Sequence, residues 1–137
     1  MVDIIIATHG PLAKALKDTS ELILGHMANI KTLGLFHGDS PEEFRQELFY
    51  MIDNSKNDLL ILTDIYGGTP CNSILNKLFL LQFPENIKCF VGVNMPLLLE
   101  VIPVCNNSNI DDVVNIIYRI KKDIVFDAST KFSISKH

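Results

Sequence analysis

Two short segments of the chain combine a reactive side chain with the glycine–proline pattern of a tight turn. Residues 8–11, Thr-His-Gly-Pro, supply an imidazole, and residues 63–70, Thr-Asp-Ile-Tyr-Gly-Gly-Thr-Pro, supply a carboxylate. A carboxylate that binds one nitrogen of a histidine ring fixes the tautomer and frees the other nitrogen as base, nucleophile or ligand. The sequence therefore predicts chemistry at His9, oriented by Asp64, provided that the fold brings the two together.

Both segments have the pattern of a strand that ends in a turn and a helix start. Apolar runs precede them, Ile-Ile-Ile at 4–6 and Leu-Leu-Ile-Leu at 59–62, as is typical of buried parallel strands. Glycine permits a sharp turn and a close approach to a ligand, and proline fits the first helical turn because it has no N–H to satisfy. Free N–H groups at helix starts favour anions. We therefore predict a phosphate-binding surface formed by Gly10, Gly67, Gly68 and Thr69.

Strand and helix patterns alternate four times along the chain. Ser40 and Pro41 mark one helix start, Thr69 is expected to cap another, and Pro103 is expected to terminate or kink a third. Gly25 is expected to end the first helix, and Ser108 or Asn109 to cap the last. The alternating residues 130–134 favour a fifth strand. The predicted strands are 3–8, 30–36, 59–63 and 88–93, and the predicted helices are 11–24, one from Pro41, one from Pro70, one from Met95, and 110–124.

This alternation predicts an α/β fold, a single-domain doubly wound sheet of four parallel strands in the order 2-1-3-4 with helices on both faces. The domain spans 1–137, with a core of 1–125 and a C-terminal tail of 126–137. Ligands of such folds bind at the carboxyl ends of the strands where the strand order reverses. His9 leaves the first strand and Asp64 the third, so the two are expected side by side.

Composition excludes several classes of function. The net charge of −4 and the lack of a basic cluster argue against nucleic acid and anionic lipid as partners. The start of the chain lacks the basic region of a secretory signal, and no apolar run approaches the about 20 residues that cross a bilayer. Three cysteines without a CxxC pair indicate reduced thiols and a cytoplasmic protein. No nucleotide fingerprint and no metal-ligand spacing is present, so we expect no cofactor and no metal.

Three ordered segments resemble the signatures of one family. They are Ile-Ile-Ala-Thr-His-Gly at 5–10, Leu-Thr-Asp-Ile-Tyr-Gly-Gly-Thr-Pro-Cys-Asn at 62–72 and Val-Gly-Val-Asn-Met-Pro-Leu-Leu-Leu-Glu at 91–100. Together they resemble the mannose-family EIIA component of the phosphoenolpyruvate-dependent sugar phosphotransferase system. The resemblance spans most of the chain.

The resemblance implies a phosphocarrier. The histidine that matches His9 accepts a phosphoryl group from the carrier protein HPr and passes it to a IIB component, and the aspartate that matches Asp64 orients it. Family members are homodimers in which a C-terminal strand crosses to the partner, which gives the predicted fifth strand a role. The resemblance also implies that the protein contacts the membrane only indirectly, through the IIC and IID permease subunits, which recognise the sugar.

Other readings of the same residues remain open. Cys71, in the first turn of a helix near His9, would suit a cysteine-dependent hydrolase or transferase, although such a cysteine is more often a small buried apolar residue. The domain could also be a regulator whose phosphorylation state a partner reads. A histidine phosphatase is disfavoured because Thr8 stands where those enzymes have a phosphate-clamping arginine. The related dihydroxyacetone phosphotransferase subunit lacks the Gly-Gly-Thr-Pro segment. His37, after the second strand, is expected at the rim of the site.

Overall fold

Four parallel strands form the centre of the protein. The structure is a computed structural model that describes residues 1–135. The sheet has the order β2-β1-β3-β4, so the predicted fold class and strand order are confirmed. The strands are β1 (Val2–His9), β2 (Ile30–Leu35), β3 (Asp58–Thr63) and β4 (Ile87–Val91). The helices are α1 (Leu12–Leu24), α2 (Pro41–Asp53), α3 (Thr69–Leu80), α4 (Met95–Cys105), α5 (Ile110–Ile120) and α6 (Ala128–Ser135).

Helices cover both faces of the sheet, because successive side chains of a strand point to opposite sides. Along β1, Ile4 and Ile6 join a core formed with α1, α4 and α5. Ile5 and Ala7 join a second core formed with α2 and α3. A strand that is buried on both sides is therefore apolar along nearly its whole length, as the run at 4–6 indicated.

Local signals placed several helix boundaries correctly. The Ser40 hydroxyl accepts a hydrogen bond from Glu43 N at 3.2 Å, and Pro41 is the first residue of α2. Asn109 caps α5 in the same way, through Asp112 N at 3.0 Å. Gly25 follows the end of α1 with a φ of 89°, a conformation that glycine adopts without steric cost.

Two helix boundaries differ from the predictions. Thr69 does not cap α3: it is the first helical residue, and Gly68 is the cap residue without a side-chain hydrogen bond. α4 does not terminate at Pro103 but continues to Cys105. Ile102 and Cys105 are almost fully buried in the core. Their packing stabilises the last turn of the helix and compensates for the backbone hydrogen bond that Pro103 cannot donate.

The prediction of a strand over 130–134 is wrong for the chain as the structure describes it, because the segment lies in α6. The Asp127 side chain accepts a hydrogen bond from Thr130 N at 3.1 Å, and Lys131 N donates to Asp127 O at 3.1 Å. This local cap favours a helical turn over the extended form that alternation predicts. Residues 136 and 137, the end of the predicted tail, lie outside the described residues. Across the part of the chain that is described, no helix is long and apolar enough to span a bilayer.

Candidate functional site

His9 and Asp64 meet at the carboxyl edge of the sheet. β1 ends at His9, and β3, which lies beside β1, ends one residue before Asp64. The register pairs Ala7 with Thr63, so both strands reach the edge together. His9 Nδ1 lies 2.9 Å from Asp64 Oδ2. The structure thus brings together the two residues, 55 positions apart, that the sequence put at the centre of the site.

One carboxylate oxygen binds His9 twice. Asp64 Oδ2 accepts from the backbone N of His9 at 3.1 Å as well as from the ring. A carboxylate only accepts hydrogen bonds, so Nδ1 carries the hydrogen and Nε2 is the nitrogen with a free lone pair. The His9 side chain is 43% exposed and that of Asp64 13%. The arrangement orients the ring from the protein side and leaves Nε2 accessible to a partner.

The carboxylate itself is held in its charged form. Partial burial by itself would raise the pKa of Asp64, but hydrogen bonds from the His9 ring and from the backbone N–H groups of His9 and Ile65 outweigh it and lower the pKa below its ordinary value. The second oxygen, Oδ1, accepts from the hydroxyl of buried Thr63 at 3.3 Å. Asp64 is therefore a fixed anion against the histidine ring.

The loop between β3 and α3 packs against the reactive edge of the ring. A side chain on Gly68 would place its Cβ 2.6 Å from His9 Cε1, closer than real Cβ atoms approach, and 3.1 Å from Nε2. Gly67 has a φ of +84°, which other residues adopt only under strain. Gly68 is thus favoured by its contact with the His9 ring, and Gly67 by the conformation of its own backbone.

Gly10 forms the turn on the other side of His9. Its φ is +57°, and its N–H donates to Leu35 O at 2.7 Å, so that N–H is not free for a ligand. Gly34 of β2 lies against this turn: a Cβ there would stand 2.3 Å from Gly10 O. Gly34 was not among the residues predicted for the site, although a glycine inside a strand signals a close backbone approach.

Three further predicted residues lie around this centre. Thr69 is half-buried at the start of α3, and its hydroxyl does not cap the helix. Cys71 is fully buried, which suits the apolar reading and not an accessible nucleophile. His37 is exposed, two residues beyond the end of β2. Within residues 1–135, no group of three or more His, Cys, Asp or Glu side chains could hold a metal ion.

Comparison with known proteins places the chain in a family. The family model for EIIA-man, described as "PTS system fructose IIA component", matches residues 3–118. The fructose-specific EIIA component of Bacillus subtilis is 29% identical over 84% of this chain and 78% of its own length. The sorbose-specific EIIA component of Lacticaseibacillus casei is 26% identical over 96% of this chain and 94% of its own.

A solved structure agrees with the sequence matches. The phosphotransferase system component EIIA from Streptococcus agalactiae superposes with a TM-score of 0.84, at 28% identity, and the match covers 95% of this chain and 99% of that one. With the family model matched over most of the sequence and the architecture shared throughout, the chain belongs to the mannose-type EIIA family, the phosphotransferase components of sugar uptake systems.

Proposed function

We propose that the protein is a phosphocarrier in which His9 Nε2 accepts a phosphoryl group from phosphorylated HPr and passes it to a IIB component. The observation that carries this proposal is the double hydrogen bond from His9 N and Nδ1 to Asp64 Oδ2. It holds the ring in one orientation and one tautomer, and it leaves the Nε2 lone pair of a half-exposed side chain for attack.

The transfer follows from this arrangement. The Nε2 lone pair attacks phosphorus, an Nε2–P bond forms, and the P–N bond of the donor phosphohistidine breaks. Nδ1 keeps its hydrogen throughout, and positive charge develops on the ring as the bond forms. Asp64, a fixed anion 2.9 Å from Nδ1, stabilises that charge without having to reorganise. The reverse sequence delivers the group to the IIB acceptor.

The phosphoryl oxygens would be bound by the start of α3. Gly68 lies against Nε2, and the N–H groups at this helix start, with the Thr69 hydroxyl, are donors suited to an anion. Gly67 contributes the turn that presents them. The Gly10 N–H is engaged by Leu35 O, so Gly10 contributes the turn after His9 and not a donor. One helix end supplies only about 0.3–1 kcal/mol, enough to position the group while Nε2 does the chemistry.

The relatives support a setting for this reaction. They are named fructose-specific and sorbose-specific EIIA components of phosphotransferase systems, and the half-exposed His9 side chain suits transfer between proteins. We expect the reaction in the cytoplasm, contact with the membrane only through IIC and IID permease subunits, and a homodimer. No cofactor is required, since the phosphoryl donor is itself a phosphohistidine.

Intact-mass spectrometry tests the proposal. Incubation with phosphoenolpyruvate, enzyme I and HPr is expected to add one phosphoryl group, which disappears when the partner IIB is added. His9→Ala should remain unmodified, and His37→Ala, a change at the exposed neighbouring strand end, should be modified as in the wild type. A linkage located on His37 or on Cys71, or labelling that persists in His9→Ala, would refute the assignment.

A further inference from the structure

Asn72 holds both glycine carbonyls of the loop that contacts His9. Its side-chain Nδ2 donates to Gly67 O at 3.0 Å, and its backbone N donates to Gly68 O at 2.9 Å. The second bond is an ordinary first bond of an α-helix, available to any residue except proline. The first bond needs a side-chain donor at this one position of α3.

The side-chain bond determines where the Gly68 N–H points. Gly67 C=O and Gly68 N–H belong to one planar trans peptide, so they point in opposite directions. With Gly67 O directed at Asn72, the Gly68 N–H is directed away from it. Among the described residues the Gly68 N–H has no protein acceptor, while Gly68 itself lies against His9 Nε2.

This peptide needs such a restraint. It joins two glycines, one of them with a φ of +84°, and glycine crosses between backbone conformations at little steric cost. A peptide that turned over would present the Gly67 carbonyl oxygen where the N–H had been. An oxygen in that place would repel a phosphoryl group, whereas an N–H would bind it.

We infer that Asn72 is a positioning residue for phosphoryl transfer: it fixes the Gly67–Gly68 peptide so that the Gly68 N–H faces the phosphoryl group on His9 Nε2. The inference rests on the proposed function. Asn72 would affect phosphoryl transfer only through the orientation of the Gly67–Gly68 peptide, because its side chain binds Gly67 O and not His9.

The helix itself has no need of asparagine at this position. Asn72 is exposed, and alanine is the better helix former, so Asn72→Ala is expected to fold. Asn76, one turn further along α3 and also exposed, provides the matched control, because it lies on the same face without a bond to the loop.

The first measurement needs no phosphorylation. The N–H residual dipolar coupling of Gly68 reports the direction of its N–H bond relative to the rest of the protein. We expect the wild type and Asn76→Ala to share one value that fits the structure, and Asn72→Ala to depart from it. An unchanged coupling in Asn72→Ala overturns the inference, even if His9 proves to carry the phosphoryl group.

The second measurement separates a donor from a space-filling side chain. Rapid-quench transfer from phosphorylated HPr should slow about tenfold in Asn72→Ala, a loss of about 1.4 kcal/mol. Asn72→Asp has the same shape but cannot donate to Gly67 O, so it should be slower still. Asn76→Asp adds the same charge one turn away and should remain near the wild-type rate.

Each remaining outcome decides between the alternatives. A wild-type transfer rate in Asn72→Asp contradicts the donor role of Asn72. Equal losses of transfer rate in Asn72→Asp and Asn76→Asp also contradict it, because they assign the effect to the added charge. On phosphorylation of the wild type, the Gly68 amide proton should move downfield, and this shift should be lost in Asn72→Ala. A wild type that is never labelled on His9 refutes the proposed function, whereas the dipolar coupling still tests the restraint by Asn72.

Discussion

Replacing Asp64 by Asn removes the charge beside His9 and nearly preserves the shape. In the wild type, the carboxylate oxygen Oδ2 accepts hydrogen bonds from His9 N at 3.1 Å and from His9 Nδ1 at 2.9 Å. An amide oxygen in the same place can still accept, but it no longer attracts the positive charge that develops on the ring. If the amide turns its NH2 group to the ring instead, it favours the wrong tautomer.

The size of the effect follows from these bonds. Hydrogen bonds to a charged group contribute about 1.5–3 kcal/mol and neutral ones about 0.5–1.5, so the loss per bond is about 1 kcal/mol. We therefore expect transfer from phosphorylated HPr to slow tenfold or more, since about 1.4 kcal/mol corresponds to a factor of ten. Oδ2 accepts two such bonds, so stability should fall by about 2 kcal/mol. Each kcal/mol lowers the melting temperature by about 3–5 °C in a domain of this size.

Rapid-quench kinetics and thermal unfolding measure the two effects separately. Asp39→Asn is the matched control, because Asp39 also accepts a backbone N–H at a strand end, from Phe36 at 2.7 Å, and not from His9. It should transfer at the wild-type rate. An Asp64→Asn variant with unchanged transfer rates would remove the carboxylate from the mechanism.

The stability difference should depend on pH in one direction. The pKa of Asp64 is lowered in the folded protein, so its charged form contributes stability that is fully present above the ordinary value of 3.8. That contribution is lost as the pH falls through the lower folded-state pKa. The advantage of the wild type over Asp64→Asn should therefore shrink once the pH falls below 3.8. An advantage that stayed the same far below that pH would contradict the assignment.

Three more changes test the packing and the assembly. Gly68→Ala should fold but transfer more than tenfold slower, measured by rapid quench, because its Cβ would lie 2.6 Å from the His9 ring. Gly34→Ala should lower the free energy of unfolding in urea by about 1–3 kcal/mol, since its Cβ would meet Gly10 O at 2.3 Å and overpacking costs about that much. Light scattering should find a dimer for the full chain and a monomer for a chain that ends at Asp127; a dimer in both cases would remove the tail from the interface.

Much of the fold follows from local patterns. Apolar runs predicted four buried strands, and Ser40, Asn109 and Gly25 marked helix boundaries that the structure confirms. Such signals need only neighbouring residues, because caps and turns are bonds between groups a few positions apart. The same local reasoning failed for the tail, where alternation favoured a strand but the Asp127 cap forms a helical turn.

The pair at the centre of the site was also predictable, for a topological reason. Parallel strands place their carboxyl ends at one edge, and the order 2-1-3-4 makes the first and third strands neighbours. His9 and Asp64 therefore had to come close once the strands were recognised. That one oxygen of Asp64 binds both His9 N and Nδ1 was not predictable, since it depends on the register that pairs Ala7 with Thr63.

Tertiary structure alone decided the contacts around that pair. Gly34 meets Gly10 across two strands, and Gly68 meets His9 across a loop. In sequence both look like ordinary turn or strand glycines, because a pattern records which residues are apolar or small and not which atoms lie within 3 Å of each other. The local chemistry of the chain determined its strands, turns and reactive residues, and the register and packing of the sheet determined which glycines lie against them.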